Sequence, residues 1–382
     1  MAPNRSHAWK FKTSVLNQLK RYPEALAAVD KAIEYSEKDK KDFSLSLFRS
    51  SILFQLKRDP EALAAINEAI KIQEFDFSYF VRAKIHAVLK DYQAALADLS
   101  QLMIFQPDNA NAYILRGQIH LGLKDDKAAL ADFNHAIKLQ PDNAYAYWWR
   151  ASLYKNLKDN KAALADFNHA IKLQQNNAFN YVFRGTYYDA VKDEKAALAD
   201  FNHAIKLQSN NADAYYQRGI FYKYLKNDQA ALADFNQAIK FEAGNAKAYY
   251  CRGVVYQKQG DGNAALSEYA QALAKDKKFA AANAKIGYIK YERGDVEGAI
   301  QELQKVVQVD SDLTGAQLAL AVVLHSRGEQ QKALNMAQAT LRLDKTLADV
   351  EVLKQHLWGT RLIAEGEKLL SHPNIQALRV KK

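Results

Sequence analysis

Residues 110–143 read ANAYILRGQIHLGLKDDKAALADFNHAIKLQPDN, and the pattern starts again at Ala144, Ala178, Ala212, Ala246 and Ala280, a period of 144 − 110 = 34 residues. A chain that repeats at this interval folds as stacked copies of one supersecondary unit. No copy can bury its apolar face alone; its neighbours must cover it. In the copy at 110–143, Tyr113, Gly117 and His120 stand at i, i+4, i+7, one face of a first helix. Ala129, Phe133 and Ala136 repeat that spacing on a second helix. Lys124-Asp125-Asp126 separates the two, and Pro141-Asp142-Asn143 closes the unit.

Glycine inside a helix costs about 1 kcal/mol relative to alanine, yet it recurs at Gly117, Gly185, Gly219, Gly253 and Gly287. Alanine recurs in the second helix at Ala129, Ala163, Ala197, Ala231, Ala265 and Ala299. The expectation is a close crossing of small residue against small residue, with Tyr and Phe filling the space beside it. A larger side chain at Ala197 is expected to overpack by about 1–3 kcal/mol.

The series Tyr113, Gly117, His120, Ala129, Phe133, Ala136, Pro141 resembles the tetratricopeptide repeat. The resemblance covers most of the chain and implies an all-α, right-handed α-solenoid of about ten helix pairs with a C-terminal capping helix. Repeats are expected to start near residues 6, 43, 76, 110, 144, 178, 212, 246, 280 and 314. Residues 1–5 are read as a flexible lead-in, 348–370 as the capping region and 371–382 as a loose basic tail. Repeats four to seven are near-duplicates: KAALADFNHAIKLQ stands verbatim at Lys127, Lys161 and Lys195. Only the first of these closes on proline; Gln175, Ser209 and Ala243 follow at that position, so those turns need other contacts. The turn between the two helices carries Lys124, Lys158, Lys192 and Lys226, then Gly260, Gly294 and Gly328. Glycine suits a left-handed residue after a helix end, and lysine there carries a small strain.

One pairing emerges from comparing the repeats with each other. Arg82, Arg116, Arg150, Arg184, Arg218 and Arg252 occupy the seventh position, and Asp98, Asp132, Asp166, Asp200, Asp234 and Glu268 the twenty-third. Where the arginine becomes Leu320, the acid becomes Met336. Repeat two, with Arg49 and Ala65, and repeat nine, with Ile286 and Glu302, break the rule. These are expected to be structural ion pairs between helices, within or between repeats.

Composition narrows the function classes. The 53 basic and 43 acidic residues leave a net charge of +10, interspersed in sign, which reads first as a solvated surface. One cysteine, Cys251, excludes an intrachain disulfide and a cysteine-based zinc site. There is no membrane-length apolar run and no apolar signal core near the N-terminus. A soluble cytoplasmic protein is expected. Gly-rich phosphate loops, paired-histidine zinc motifs and nucleophile elbows are missing, so no catalytic residue, metal site or cofactor is assigned. His135, His169 and His203 stand one repeat apart, too widely spaced for one metal, on an expected exposed face.

Binding is the expected activity. The face of the first helix that lines the concave groove, as the resemblance implies, carries Tyr145, Trp148, Lys155, Phe179, Val182, Asp189, Asp213, Tyr216, Lys223 and Tyr250. Trp149, Phe183 and Tyr224 lie beside them. The expected partner-binding residues are Tyr145, Trp148, Trp149, Phe179, Phe183, Tyr216, Lys223, Tyr224 and Tyr250, because Trp and Tyr are favoured binding anchors. Some of them are equally suited to packing between first helices. The expected partner is a peptide or helical segment of another protein. Chaperone-binding members of the family hold a terminal carboxylate with Lys at position five and Asn at nine. Here those positions read Ile114/Gln118, Trp148/Ser152, Val182/Thr186 and Tyr216/Ile220, so that role is disfavoured. The alternative is a nucleic-acid-binding helical-repeat protein that uses basic and aromatic residues. Lys155 and Lys223 are diluted by Asp189 and Asp213, which counts against it. Imperfect terminal repeats leave self-association open.

Overall fold

The computed structural model describes residues 3–36, 42–310 and 312–380. Every regular element among them is helical. The chain divides into an N-terminal block, Met1–Asn176, and a C-terminal block, Asn177–Lys382.

The N-terminal block holds five helix pairs: α1 (Pro3–Gln18) with α2 (Tyr22–Glu34), α3 (Phe43–Gln55) with α4 (Asp59–Ile72), α5 (Asp76–Val88) with α6 (Tyr92–Phe105), α7 (Ala110–Gly122) with α8 (Asp126–Leu139), and α9 (Ala144–Asn156) with α10 (Asn160–Leu173). The C-terminal block continues with α11 (Ala178–Ala190) and α12 (Glu194–Leu207), α13 (Ala212–Tyr224) and α14 (Asp228–Phe241), α15 (Ala246–Lys258) and α16 (Gly262–Lys275), α17 (Ala280–Glu292) and α18 (Val296–Val309), α19 (Thr314–Ser326) and α20 (Gln330–Leu343). It ends with a 3-10 turn, Lys345–Ala348, and three shorter helices, α21 (Val350–Gln355), α22 (Thr360–Leu370) and α23 (Pro373–Val380). The chain is therefore an α-solenoid of ten helix pairs with a helical C-terminal cap. Two expectations are corrected. Pro3, Asn4 and Arg5 are the first turn of α1 and no lead-in, and 373–380 is helix where a loose tail was expected.

Each pair closes on itself by the same local device. The residue after the first helix is left-handed: φ is 61° at Lys124, 62° at Lys158 and 58° at Lys226, and 83° at Gly260. From α6 to α18 the next residue then caps the second helix with its side chain, which Arg21, Arg58 and Glu329 do not do before α2, α4 and α20. The Asp125 carboxylate accepts from the Ala128 amide at 3.0 Å, and the Asn227 amide oxygen from Ala230 at 3.2 Å. The Asp125 N–H itself donates back to the His120 carbonyl at 2.9 Å. Closing turns without proline are held by side chains: Asn211 Nδ2 donates to Gln208 Oε1 at 3.3 Å beside Ser209.

The helix crossing differs from the expected small-on-small contact. Ala129 and its counterparts are fully buried, but Gly117, Gly185, Gly219 and Gly253 face the ring of their own repeat, and Gly287 faces Leu303. A Cβ at Gly117 would sit 2.6 Å from Phe133, and one at Gly253 2.8 Å from Tyr269. The glycine is there to seat a fully buried aromatic ring.

The arginine–acid pairs form within the repeat. Arg82, Arg116, Arg150, Arg184, Arg218 and Arg252 reach Asp98, Asp132, Asp166, Asp200, Asp234 and Glu268 at 2.6–2.7 Å. The five aspartates are buried and Glu268 half-buried, and the hydrogen-bonded acid raises the arginine pKa in Arg82, Arg116, Arg150, Arg184 and Arg218. A second guanidinium nitrogen of Arg150 donates to Asn134 of the preceding repeat at 2.7 Å, and that of Arg218 to Asn202 at 2.5 Å. The exceptions find other partners: Arg49 pairs with Asp30 on α2, and Glu302 with Lys290 and Lys305.

In the C-terminal block the chain folds back on itself. α22 lies on α19 and α17, and α23 on α20. Leu357 turns left-handed at φ 60° after α21 and reverses the chain. Its carbonyl accepts from Gln257 Nε2 at 3.1 Å, and the Lys285 ammonium donates to the His356 carbonyl. Glu292 accepts the Leu362 N–H at 2.8 Å and the Arg361 N–H at 3.1 Å, which satisfies open amides at the start of α22. Leu353, Trp358, Leu362, Leu369 and Leu370 complete the core with Leu320, Val322 and Leu324 of α19.

Candidate partner-binding faces

Helical spacing sets which first-helix side chains share a face. On α9, Tyr145, Trp148 and Trp149 stand at i, i+3, i+4 and meet as one aromatic trio. Their ring centroids are 5.8 Å apart for Tyr145–Trp148, 6.1 Å for Tyr145–Trp149 and 4.5 Å for Trp148–Trp149. The three are not equally available. Tyr145 is 46% exposed and Trp148 only 8%. Trp149 is half-buried and stacks on Phe133 at 6.3 Å. Trp148, expected on the groove face, is buried.

On α11, Phe179 and Phe183 touch at 4.1 Å, with Phe179 exposed and Phe183 half-buried; Val182 is buried. On α13, Tyr224 is the most exposed of the expected site residues at 68%, with the Lys223 ammonium 4.8 Å from its ring centre. Tyr216 is half-buried against Phe235, its hydroxyl 4.0 Å from Cys251 Sγ. Burial pushes the Tyr216 phenol well above its ordinary pKa. On α15, Tyr250 lies between Tyr269 at 5.6 Å and Phe279 at 5.2 Å, and burial pushes its phenol up to about 12. These phenols stay neutral at physiological pH and serve as packing and hydrogen-bonding groups. The expected residues therefore divide into displayed rings, Tyr145, Phe179 and Tyr224, and rings that build the surface beneath them.

The three histidines take another role. His135, His169 and His203 are exposed on their second helices and lie against Tyr113, Tyr147 and Tyr181 at 4.2, 4.3 and 4.3 Å. Among the described residues, no cluster of three or more His, Cys, Asp or Glu side chains is arranged to hold a metal ion. No helix among them is long and apolar enough to cross a membrane.

The expected capping region, 348–370, supplies the helix α22 that covers the last two first helices, α17 and α19. On α17 the buried residues run from Ala282 to Ile289 without a break, and on α19 from Leu318 to Leu324. On α13 the buried set is Ala214, Gly219 and Phe221. Sequence reading did not single out Lys285, 8% exposed at a position that holds Trp149 and Phe183 in other repeats. A lysine in the apolar run AAANAKIGYI is a visible signal, but only the fold-back shows that it is enclosed.

Known proteins share this repeat fold. Residues 57–218 match the profile of the ETO1 C-terminal domain, residues 221–260 that of a TPR repeat, and residues 3–77 and 250–313 that of the tetratricopeptide repeat. Among solved structures, similar folds include a tetratricopeptide repeat protein from Parabacteroides merdae, 18% identical, with a TM-score of 0.54 over 66% of this chain and 99% of that one. The human IFIT1 dimer with m7Gppp-AAAA is 14% identical, with a TM-score of 0.57 over 94% and 89%. Yeast Tom70 is 14% identical, with a TM-score of 0.52 over 100% of both chains. At such identities the likeness is one of fold. No curated protein matches the sequence.

Proposed function

Because the chain belongs to the tetratricopeptide repeat family, we propose that it is a non-enzymatic interaction scaffold whose first-helix faces hold a peptide or helical segment of another protein. The observation that carries this reading is the exposure of large rings on first helices in each block by itself: Tyr145 on α9 in the N-terminal block, and Tyr224 on α13 in the C-terminal block. Rings of this kind give much contact area for little lost side-chain freedom. Trp149, Phe183, Tyr216 and Tyr250 shape the surface under them, and Lys223 orients the ligand. Trp148 acts through packing. A cytoplasmic, soluble setting agrees with this role.

The test compares proteins captured by the wild-type chain with those captured by a Tyr145→Ala, Phe179→Ala, Tyr224→Ala variant. The three positions are exposed, so the variant should keep the wild-type circular dichroism and melting temperature. Loss of the captured proteins is expected. Identical capture by both would end the assignment. Added salt separates the nucleic-acid alternative, since phosphate contacts weaken steeply between about 50 and 200 mM while aromatic anchoring holds.

A further inference from the structure

The C-terminal fold-back leaves a cleft of about 510 Å³ between residues 354–359, the end of α15 and the C-terminal half of α17. Several polar groups that line it already have partners. Gln257 donates to the Leu357 carbonyl at 3.1 Å and accepts from the Tyr269 hydroxyl at 2.7 Å. Glu292 accepts the Arg361 and Leu362 amides. Lys354 donates to Glu351 at 2.6 Å. The Trp358 indole differs. The residue is only 4% exposed, and its buried Nε1 has no acceptor among the described residues. A buried donor without an acceptor costs stability. The packing of the ring sets its direction. A Cβ on Gly366 of α22 would lie 3.2 Å from Trp358 Cζ3, on the benzene edge. The opposite edge, which carries Nε1, is therefore turned away from α22 and toward α17, where the Tyr288 ring centre stands 6.0 Å off. Tyr288 also lines the cleft and is 3% exposed; burial holds its phenol well above the ordinary pKa, so it keeps its proton.

We propose that this cleft binds a small organic carboxylate, with the Trp358 N–H and the Tyr288 O–H donating to its oxygens. The site is separate from the aromatic first-helix faces and does not depend on the scaffold reading. A cleft of this size suits a small molecule. Its two buried groups are donors, so the ligand must bring acceptors, and an ionised carboxylate is acceptor-only with two oxygens. Ile289 and Leu357, which pack together beside these donors, offer an apolar wall for the body of the ligand. Inorganic phosphate has no such body and suits the wall less. Lys258 and Arg293 stand at the exposed mouth, and the Glu292 carboxylate there is already engaged by the two amides of α22.

The full chain, isotope-labelled at tryptophan, is titrated with phenylacetate, with neutral phenylacetamide and with inorganic phosphate, and the indole N–H signals are followed by NMR. The chain has four tryptophans. Trp9→Phe, Trp148→Phe and Trp149→Phe assign three of the signals and leave Trp358 by elimination, so the assignment needs no substitution in the cleft. Phenylacetate is expected to move the Trp358 signal downfield, as a new hydrogen bond does, and phenylacetamide to bind about tenfold more weakly or worse. Tyr288→Phe keeps the ring and removes the donor; phenylacetate should bind it about tenfold more weakly, at a melting temperature close to that of the wild type. A Trp358 signal that phenylacetate leaves in place overturns the proposal. A signal moved by phosphate and not by phenylacetate overturns the ligand class, and undiminished affinity in Tyr288→Phe overturns the two-donor site.

Discussion

Helices α13 and α19 occupy the same place in their repeats, in the same block, and differ in what lies on them. α13 reads ADAYYQRGIFYKY and buries only Ala214, Gly219 and Phe221; α19 reads TGAQLALAVVLHS and is buried from Leu318 to Leu324, with α22 packed on it. The covered helix has lost the aromatic and charged side chains and gained Leu, Val and Ala. Even the ion pair is gone, replaced by Leu320 and Met336. A first-helix face that the chain itself covers is written as core. The face of α13, with Tyr224 exposed and Lys223 unpaired by a carboxylate, is not written as core, and this contrast is the physical basis for treating it as a docking surface.

The largest effect should come from uncovering α19. Leu362 is fully buried on α22, and Leu362→Asp places a charge against Leu and Val side chains. A loss of about 4 kcal/mol or more is expected. Hydrogen exchange should rise first in α17 to α20, with α12 to α14 protected. Uniform exchange across the block would mean that the two regions unfold as one and the contrast has no energetic meaning.

Next comes the ion pair. Arg218→Leu leaves buried Asp234 without its cation and should cost about 3 kcal/mol. Arg218→Leu with Asp234→Met copies the α19–α20 solution and should cost under about 1 kcal/mol. Equal losses in chemical denaturation would show that the pair is not coupled.

Per pH unit, a smaller effect is tied to Lys285. Lys285 titrates at about 7 in the folded chain and near 10.4 when unfolded. Between those values the unfolded chain keeps a proton that the folded chain has released. Stability should therefore rise from pH 7 toward 10, with a slope of at most about 1.4 kcal/mol per pH unit, and this contribution should be flat below the folded value. Lys285→Met should remove that slope, and a slope retained in the variant belongs to another group.

The smallest effect lies at the turns. Lys226 is left-handed at φ 58°, where the C-terminal repeats use Gly260, Gly294 and Gly328. Lys226→Gly should stabilise by less than about 1 kcal/mol, and Gly260→Lys should do the reverse. A melting temperature that falls in the first variant would show that lysine is not strained there.

The helix pairs were legible because every signal agreed: the 34-residue period, the Ala and Phe spacing, and the Lys-Asp turn that both ends one helix and caps the next. The ion pairs were legible because arginine and acid change together. The role of glycine was misread, since the sequence shows that Gly117 and Ala129 are both small but not that Phe133 reaches the first. Availability at the candidate site was legible only in part. Tyr145 and Trp148 share one face in a helical projection, yet one is 46% exposed and the other 8%, a difference that helical spacing alone does not carry. The cap at 348–370 was legible because a solenoid's last apolar face needs a cover, but α22 breaks the period, so nothing in the repeat foretells that it packs on α17 and α19.

The double use of each guanidinium has a consequence for how such a chain changes over time. Arg218 holds its own Asp234 and also reaches back to Asn202, as Arg252 does to Asn236 at 2.6 Å. A stretch copied or deleted as one whole repeat carries an arginine, an acid and an asparagine with it, so every junction it creates is already matched. A partial insertion would leave one of the three stranded. The near-identical repeats record growth by that rule, in which length is adjustable in whole steps and each new seam arrives with its own fastener.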